Sequence, residues 1–264
     1  METLSGTAAG VPYTALPPAG GGRAPLIVTW HMLDAPRTDA AFAAALPMLG
    51  VPAWRVHLAM PMCGARMVDG RLDAAIELAR RDVLLAFLAP FVRQAAGELP
   101  AALKELREQL PVDDGPVSVL GASLGGAVAL EVLAAQQVPI RSAALVNPAV
   151  RLRSVVPLTE GLAGRPYRWT EEAHRVADSF DYVARAGELA PVPLLLVSGE
   201  RDHPDLRADA AALVARLADA ELVDVPELAH PLAEEPGLEP APQLPTAKAV
   251  DEVLTSWFTG QLAG

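Results

Sequence analysis

The 264-residue sequence has a single cysteine, Cys63, and little positive charge. One thiol excludes an internal disulfide, which fits a reducing compartment such as the cytoplasm. The residues around Cys63 carry no base signature, so we expect a packed structural thiol. The 21 Lys and Arg residues against 32 Asp and Glu residues leave a formal net charge of −11. Because such a surface repels phosphate backbones, we expect no nucleic-acid binding.

Long apolar runs are also missing. No run approaches the roughly 18 apolar residues of a membrane span, and the N-terminal residues lack the basic start and apolar stretch of a signal peptide. Metal-ligating Cys/His spacings, phosphate loops and dinucleotide-binding glycine loops are absent. We therefore expect a cytoplasmic protein without a cofactor, a metal or a membrane partner. The sequence indicates no oligomeric state.

What the sequence does contain is an alternation of short apolar runs and helical patterns. Glycine-rich residues 1–22 read as a frayed or weakly stranded lead-in. The apolar runs predict six strands, at Pro25–Trp30, Ala53–Ala59, Pro116–Leu120, Ser142–Val146, Pro193–Ser198 and Glu221–Val225. Helical periodicity predicts helices at Glu98–Leu110, Pro204–Ala218 and Thr246–Thr259. This alternation favours one α/β domain over residues 1–264, with a mostly parallel central sheet flanked by helices.

One interval breaks the alternation. Residues 149–190 separate two predicted strands where a single helix would be enough. Insertions of this size often form lids over a site, so we expect a small helical lid here. A longer surface connection with one extra helix is the alternative. Four aromatic residues of the interval could line an apolar pocket or pack its helices: Tyr167, Trp169, Phe180 and Tyr182.

The segment GASLGG, Gly121–Gly126, joins a predicted strand directly to a helical pattern. A nucleophilic serine on a sharp strand-to-helix turn needs this context, because bulky neighbours two residues away would collide with main chain. Gly121 and Gly125 provide the small neighbours on either side of Ser123. The amides at the helix start also favour negative charge nearby. The segment therefore predicts Ser123 as a nucleophile.

A serine hydroxyl needs a base, and the base needs an acid that fixes its tautomer. Asp202 lies in the loop just after the strand Pro193–Ser198, and Glu200 and Asp205 are its rivals. His230 follows the last predicted strand. The other four histidines are worse placed: His31, His57, His174 and His203. We expect Asp202 as the acid and His230 as the base.

These motifs, GASLGG, SGERD and ELAH in this order, resemble those of the α/β-hydrolase superfamily over about residues 25–258. The chain looks most similar to small esterases and to the hydrolase domains of peptidases related to prolyl oligopeptidase. The resemblance implies a parallel central sheet, a Ser–His–Asp triad and an oxyanion hole shared between two loops.

The oxyanion hole departs from the family pattern. Such enzymes often carry HG or HGGG after an early strand, whereas here His31 is followed by Met32. The resemblance assigns the oxyanion donors to the backbone amides of Leu124 and Leu33, with Met32 as the alternative to Leu33. His31 is expected to orient this loop rather than to act as a second base.

Together these features predict a hydrolase that cleaves carboxylic esters of small or medium uncharged substrates through an acyl-enzyme. Peptide or amide hydrolysis of the prolyl-oligopeptidase type is the first alternative. A non-catalytic member of the fold that binds a small ligand in the same pocket is the second.

Overall fold

A computed structural model describes residues 3–71, 73–163 and 165–263 of the chain. Its centre is an eight-stranded sheet in the order β1-β2-β4-β3-β5-β6-β7-β8. The strands are β1 Leu4–Ala8, β2 Val11–Leu16, β3 Leu26–Trp30, β4 Trp54–Leu58, β5 Val117–Ala122, β6 Ile140–Val146, β7 Leu194–Gly199 and β8 Ala220–Val225. Strands β3 to β8 all run parallel to one another. Their carboxyl ends therefore lie at one edge of the sheet.

All six strands predicted from the apolar runs are present, and the lead-in, predicted as frayed or weakly stranded, contains two strands. Residues 4–16 form a hairpin rather than a frayed segment, turning at Ala9 and Gly10 with φ of 49° and 80°. Strand β2 pairs antiparallel with β4. The hairpin is stabilised by pairing with a strand some forty residues away in sequence, which local periodicity does not reveal.

Helices cover both faces of the sheet, as the strand–helix alternation predicts. They are α1 Asp39–Ala45, α2 Asp73–Arg81, α3 Ala89–Gln109, α4 Leu124–Ala135, α5 Leu152–Ala163, α6 Glu171–Ser179, α7 Pro204–Val214 and α8 Pro245–Ala263. A π-helical turn, Val83–Leu88, leads into α3. Helices α1 and α8 pack on one face through Phe42, Leu254 and Phe258. Helices α3 and α4 pack on the other face.

Three helix boundaries differ from the sequence prediction. Helix α3 begins at Ala89 instead of Glu98 and contains Pro100 within it, α7 ends at Val214, and α8 continues past Gly260. Proline and glycine lower helix propensity, but burial of an apolar face outweighs a local cost of this kind. Among the described residues, no helix combines the length and the apolar character needed to cross a membrane.

Candidate active site

Ser123 lies at the sharp turn between the end of β5 and the start of α4. Its φ of 51° and ψ of −118° fall outside the ordinary regions for a residue with a side chain. The turn is held by backbone hydrogen bonds: the Ser123 amide donates to the Val146 carbonyl at 3.0 Å, and the amides of Gly126 and Ala149 donate to the Ser123 carbonyl at 2.9 Å each. The local structure is the strand–turn–helix that GASLGG predicts.

The glycines around Ser123 allow main chain to approach main chain. A Cβ on Gly121 would lie 2.1 Å from the Gly125 carbonyl oxygen, and a Cβ on Gly125 would lie 2.3 Å from the Trp30 carbonyl oxygen. Both distances are far shorter than the distance that a Cβ atom keeps from a non-bonded atom in real structures. The second contact brings the start of α4 against the loop that follows β3.

We expect Gly121→Ala to lower the free energy of unfolding by about 3 kcal/mol or more, because the added methyl collides with backbone that cannot move without opening the turn. Gly97→Ala is the matched control. A Cβ on Gly97 in α3 meets nothing within 4 Å, so that change is expected to be neutral or to stabilise by up to about 1 kcal/mol. Urea denaturation followed by circular dichroism measures both. An equal free energy of unfolding for Gly121→Ala and wild type would contradict the expected collision of the added methyl group with backbone.

The structure brings Ser123, His230 and Asp202 together from three loops at the same sheet edge, after β5, β8 and β7. The Nε2 atom of His230 lies 2.8 Å from Ser123 Oγ, and its Nδ1 atom lies 2.7 Å from Asp202 Oδ1. All three residues are buried, with 6% to 8% of their surface exposed. A carboxylate at Nδ1 favours a proton there, which leaves the Nε2 lone pair to accept from the Ser123 hydroxyl. This hydrogen-bonded group is called the triad below.

The loop that carries Asp202 is tied to the loop that carries His230. The Arg201 amide donates to the Leu228 carbonyl at 2.9 Å. The His203 amide donates to Asp202 Oδ1 at 2.6 Å, so this oxygen accepts from the backbone as well as from the imidazole. The rival acids Glu200 and Asp205 are exposed and do not contact His230.

Asn147, which sequence analysis missed, joins these two loops. Its side-chain oxygen accepts from the Gly199 amide at 2.7 Å, and its Nδ2 donates to the carbonyls of Ala229 at 2.9 Å and His230 at 3.2 Å. Asn147 is buried and has a φ of 43°. It fixes the backbone on both sides of the His230–Asp202 contact. The available signal was its place directly after the strand β6, at the sheet edge where the triad residues also lie.

The loop after β3 contributes the other side of the site. Leu33 and Leu124 both line the cavity at Ser123. The Leu124 amide is at the first position of α4, where an amide has no partner within the helix. The Met32 side chain is instead fully buried in the core beneath the loop. Assignment of the oxyanion donors to Leu124 and Leu33, or to Met32, stays a prediction.

His31 braces this loop. Its Nδ1 lies 2.7 Å from the Met32 carbonyl oxygen, and the Met60 amide lies 3.3 Å from its Nε2. Burial lowers the pKa of His31 to about 4. A neutral ring that donates from Nδ1 and accepts at Nε2 satisfies both contacts, so His31 holds two loops in place.

The lowered pKa values of His31 and the neighbouring His57 lead us to expect that the protein loses stability in acid. Burial lowers the pKa of His57 to about 3, and the charge of Arg55 adds to this effect. In the unfolded chain both rings titrate near 6.5, so between about pH 6.5 and 4 the unfolded state binds more protons than the folded state. The free energy of unfolding should therefore fall as pH is lowered through this window, by up to about 1.4 kcal/mol per pH unit for each ring.

Urea denaturation at pH 7.0, 6.0 and 5.0 measures this slope. The variant His57→Gln removes one titrating ring and should flatten the slope. His174→Gln is the control, because His174 is exposed and stacks on Trp169 at the surface. A slope unchanged by His57→Gln would show that other groups cause the acid sensitivity.

Ser123 and His230 open into a cavity of about 420 Å³. Apolar side chains form most of its wall, including Ile76 from α2, Phe87 from the π-helical turn, Phe91 from α3 and Leu158 from α5. Sequence analysis predicted no helix or strand in residues 60–97 and discussed only Cys63 among them, as a packed thiol, although this segment supplies much of the wall. The amphipathic pattern of Asp73–Arg81 was the available signal.

The interval 149–190, predicted as a lid, holds α5 and α6. Helix α5 reaches the cavity through Val155, Leu158 and Thr159. The four aromatic residues pack elsewhere: Tyr167 and Trp169 contact each other, and Phe180 and Tyr182 are buried. Gly164 lies outside the described residues. The interval therefore contributes to the cavity wall, and its role as a lid stays a prediction.

Asp202, His203 and His230 offer three ligand atoms within 4.8 Å of one another, the arrangement in which a metal ion could bind. Two of these residues belong to the triad. A metal on them would compete with the Nδ1–Oδ1 hydrogen bond, so the donor set fits the triad better than a resident ion.

A second carboxylate stands beside His230. Asp34 Oδ2 lies 3.5 Å from Nε2, the same atom that contacts Ser123. The Asp34 side chain is 48% exposed and lines the cavity. Sequence analysis gave Asp34 no role, since nothing local to it indicates a contact with a residue almost two hundred positions away.

No protein-family model and no curated protein matches the sequence. Solved structures do match it in fold. TT1662 from Thermus thermophilus is 19% identical, with 98% of this chain and 99% of that chain covered and a TM-score of 0.64. An acylaminoacyl peptidase from Pyrococcus horikoshii is 12% identical, covers 99% of this chain with a TM-score of 0.64, and is matched over 41% of its own length. Carboxyl esterase 2 from Tuber melanosporum is 18% identical, with 99% and 86% covered and a TM-score of 0.54.

This similarity shows the fold. The chain has the α/β-hydrolase fold, with a mostly parallel eight-stranded sheet and flanking helices, as the motifs predicted. It spans less than half the length of the acylaminoacyl peptidase.

Proposed function

We propose that the protein is a serine hydrolase that cleaves carboxylic esters with a small or medium apolar acyl group. The observation that carries the proposal is the continuous chain of contacts from Ser123 Oγ through His230 to Asp202, at 2.8 Å and 2.7 Å. A serine, a base within hydrogen-bond reach and an acid that orients the base are the three parts of an activated nucleophile.

In the first step His230 Nε2 takes the proton of the Ser123 hydroxyl while Oγ attacks the substrate carbonyl carbon. Asp202 stabilises the imidazolium that forms. The tetrahedral intermediate collapses when the bond to the leaving oxygen breaks and Nε2 gives its proton to that oxygen. An alcohol leaves and the acyl group stays on Ser123. Water then attacks the acyl-enzyme by the same sequence and releases the acid.

The start of α4 is placed to stabilise the negative charge that develops on the substrate carbonyl oxygen in this step. The Leu124 amide directly follows Ser123 and, at the first position of α4, has no partner within the helix. The Leu33 amide on the loop after β3 is the proposed second donor. Donors of this kind stabilise the oxyanion more strongly than the neutral carbonyl, and loss of one typically costs about 3 kcal/mol of transition-state stabilisation.

The lining and size of the cavity are suited to an apolar acyl group. Its wall is mostly aliphatic and aromatic, and about 420 Å³ suits a small or medium molecule. Neighbours in fold include a carboxyl esterase and an acylaminoacyl peptidase. We propose ester cleavage first and amide cleavage second. The two reactions differ because an amine leaving group depends more strongly on protonation by His230 than an alcohol does.

The test has two parts. Wild-type protein is incubated with a fluorophosphonate and examined by intact-mass spectrometry, where an activated serine displaces fluoride and forms one Oγ–phosphorus bond. Turnover of p-nitrophenyl butyrate is then compared with that of the p-nitroanilide of butyric acid, which has the same acyl group. We expect a single adduct and at least about a thousandfold preference for the ester.

Comparable rates on ester and anilide would favour the amidase alternative. The absence of both adduct and turnover would overturn the catalytic proposal and favour a ligand-binding protein on this fold.

A further inference from the structure

Asp34 is the one acidic side chain among the residues that line the described cavity. It lies on the loop after β3, one residue beyond Leu33, and half of its side chain remains open to the cavity and solvent. The surrounding wall is mostly apolar. A carboxylate placed there is costly unless it stays hydrated or meets a positive partner.

Among the described residues, no Lys or Arg takes this part. In residues 3–71, 73–163 and 165–263, no Lys or Arg nitrogen comes within 4 Å of the Asp34 carboxylate, and His230 is its only ionic contact. Arg37, the cation that also lines the cavity, donates instead to Glu235 Oε2 at 2.6 Å. The positive charge of Arg37 is thus already paired, whereas the negative charge of Asp34 is not.

The position of Asp34 identifies which part of a substrate it would meet. In the proposed mechanism His230 Nε2 protonates the leaving oxygen, which must therefore come within about 3 Å of that nitrogen. Asp34 Oδ2 lies 3.5 Å from the same nitrogen. A group attached two carbons beyond the leaving oxygen is then within reach of the carboxylate.

We infer that Asp34 selects esters whose alcohol part carries a positively charged amine close to the ester oxygen. The inference rests on the proposed function and narrows it: the acyl group is apolar, and the alcohol is an amino alcohol. A positively charged alcohol part differs from the uncharged substrate that the sequence predicts. The ammonium N–H of the substrate donates to Asp34, and this ion pair holds the leaving oxygen at His230.

Two esters of nearly equal shape test this: 2-(dimethylamino)ethyl butyrate, protonated at pH 7, and neutral 3-methylbutyl butyrate. The readout is the ratio of their kcat/KM values in wild type, Asp34→Asn and the control Asp205→Asn, which removes an equal charge from an exposed site outside the cavity. We expect wild type to favour the charged ester, and Asp34→Asn to lower the ratio about three- to tenfold. Asp205→Asn should leave the ratio within about twofold. Salt should weaken the preference, since half of the Asp34 side chain is exposed.

The possible outcomes distinguish the role inferred for Asp34 from the proposed hydrolase function. If both esters are hydrolysed and the ratio is the same in wild type and Asp34→Asn, the inference is wrong and the proposed function stands. If p-nitrophenyl butyrate is hydrolysed but neither of these esters is, the inference is wrong and the proposed function stands. If wild type gives no fluorophosphonate adduct and hydrolyses no ester, the proposed function fails, and calorimetric titration of Ser123→Ala and of Ser123→Ala with Asp34→Asn by the same two esters decides the inference. Tighter binding of the charged ester that depends on Asp34 would support it, and equal binding of the two esters would overturn it.

Discussion

Replacement of Ser123 by alanine is expected to lower kcat for p-nitrophenyl butyrate on the order of 10⁴- to 10⁶-fold and to abolish the fluorophosphonate adduct. The variant loses the Oγ atom that lies 2.8 Å from His230 Nε2, so no acyl-enzyme can form on this residue. Its fold should persist, because Ser123 holds the turn through backbone hydrogen bonds, which alanine retains. Active-site titration and intact-mass spectrometry measure the two effects.

Cys63→Ala is the matched control, since the thiol of Cys63 also lines the cavity. Burial raises the pKa of the Cys63 thiol to about 12, which keeps it protonated and unreactive at neutral pH. Its removal should leave labelling and turnover within a fewfold of wild type. An adduct that persists in Ser123→Ala and disappears in Cys63→Ala would assign the nucleophile to the thiol instead.

Replacement of Asp202 by asparagine is expected to lower kcat about 10⁴-fold with little change in KM. The amide has nearly the shape of the carboxylate, but its NH₂ group facing His230 Nδ1 would favour the tautomer with the proton on Nε2. That nitrogen could then no longer accept the Ser123 proton. Steady-state kinetics of the ester, together with the rate of fluorophosphonate labelling, measures the loss.

The rival acids of the same loop provide the controls. Glu200→Gln and Asp205→Asn remove exposed carboxylates that do not touch His230, so both should retain turnover within about twofold. If one of these variants lost activity as strongly as Asp202→Asn, the assignment of the acid would be mistaken.

Much of the sheet follows from local sequence. Strands β3, β5 and β7 are largely apolar and fully buried because both faces of a parallel sheet are covered, and such runs are visible without any knowledge of partners. Strand β8 at the sheet edge carries the exposed Glu221 and Asp224. The hairpin β1–β2 was not visible, since its short segments with Ala, Gly and Pro acquire their strand conformation by pairing with β4. The start of α3 was hidden in the same way, because Gly97 and Pro100 suggest an interruption that packing overrides.

The candidate triad was predictable because each member sits beside a strand end. The turn at Ser123 depends on glycines two residues away, and Asp202 and His230 were chosen by their order after predicted strands. By contrast, Asn147, Asp34 and the cavity wall from residues 62–91 were not predicted. Each acts through contacts with residues far away in the chain. The place of Asn147 after β6 and the amphipathic pattern of Asp73–Arg81 were local signals, but neither signal indicates which distant residues are contacted.

The sequence by itself therefore determined the parallel α/β architecture and the serine turn, because strand burial, helix periodicity and the room that glycine leaves are properties of neighbouring residues. Only the tertiary structure decided that His230 stands between two carboxylates, that Asn147 ties the acid loop to the histidine loop, and that the half-exposed carboxylate of Asp34 lines a mostly apolar cavity. These features depend on distances between segments up to two hundred residues apart, and such distances are set by the packing of the whole sheet and its helices.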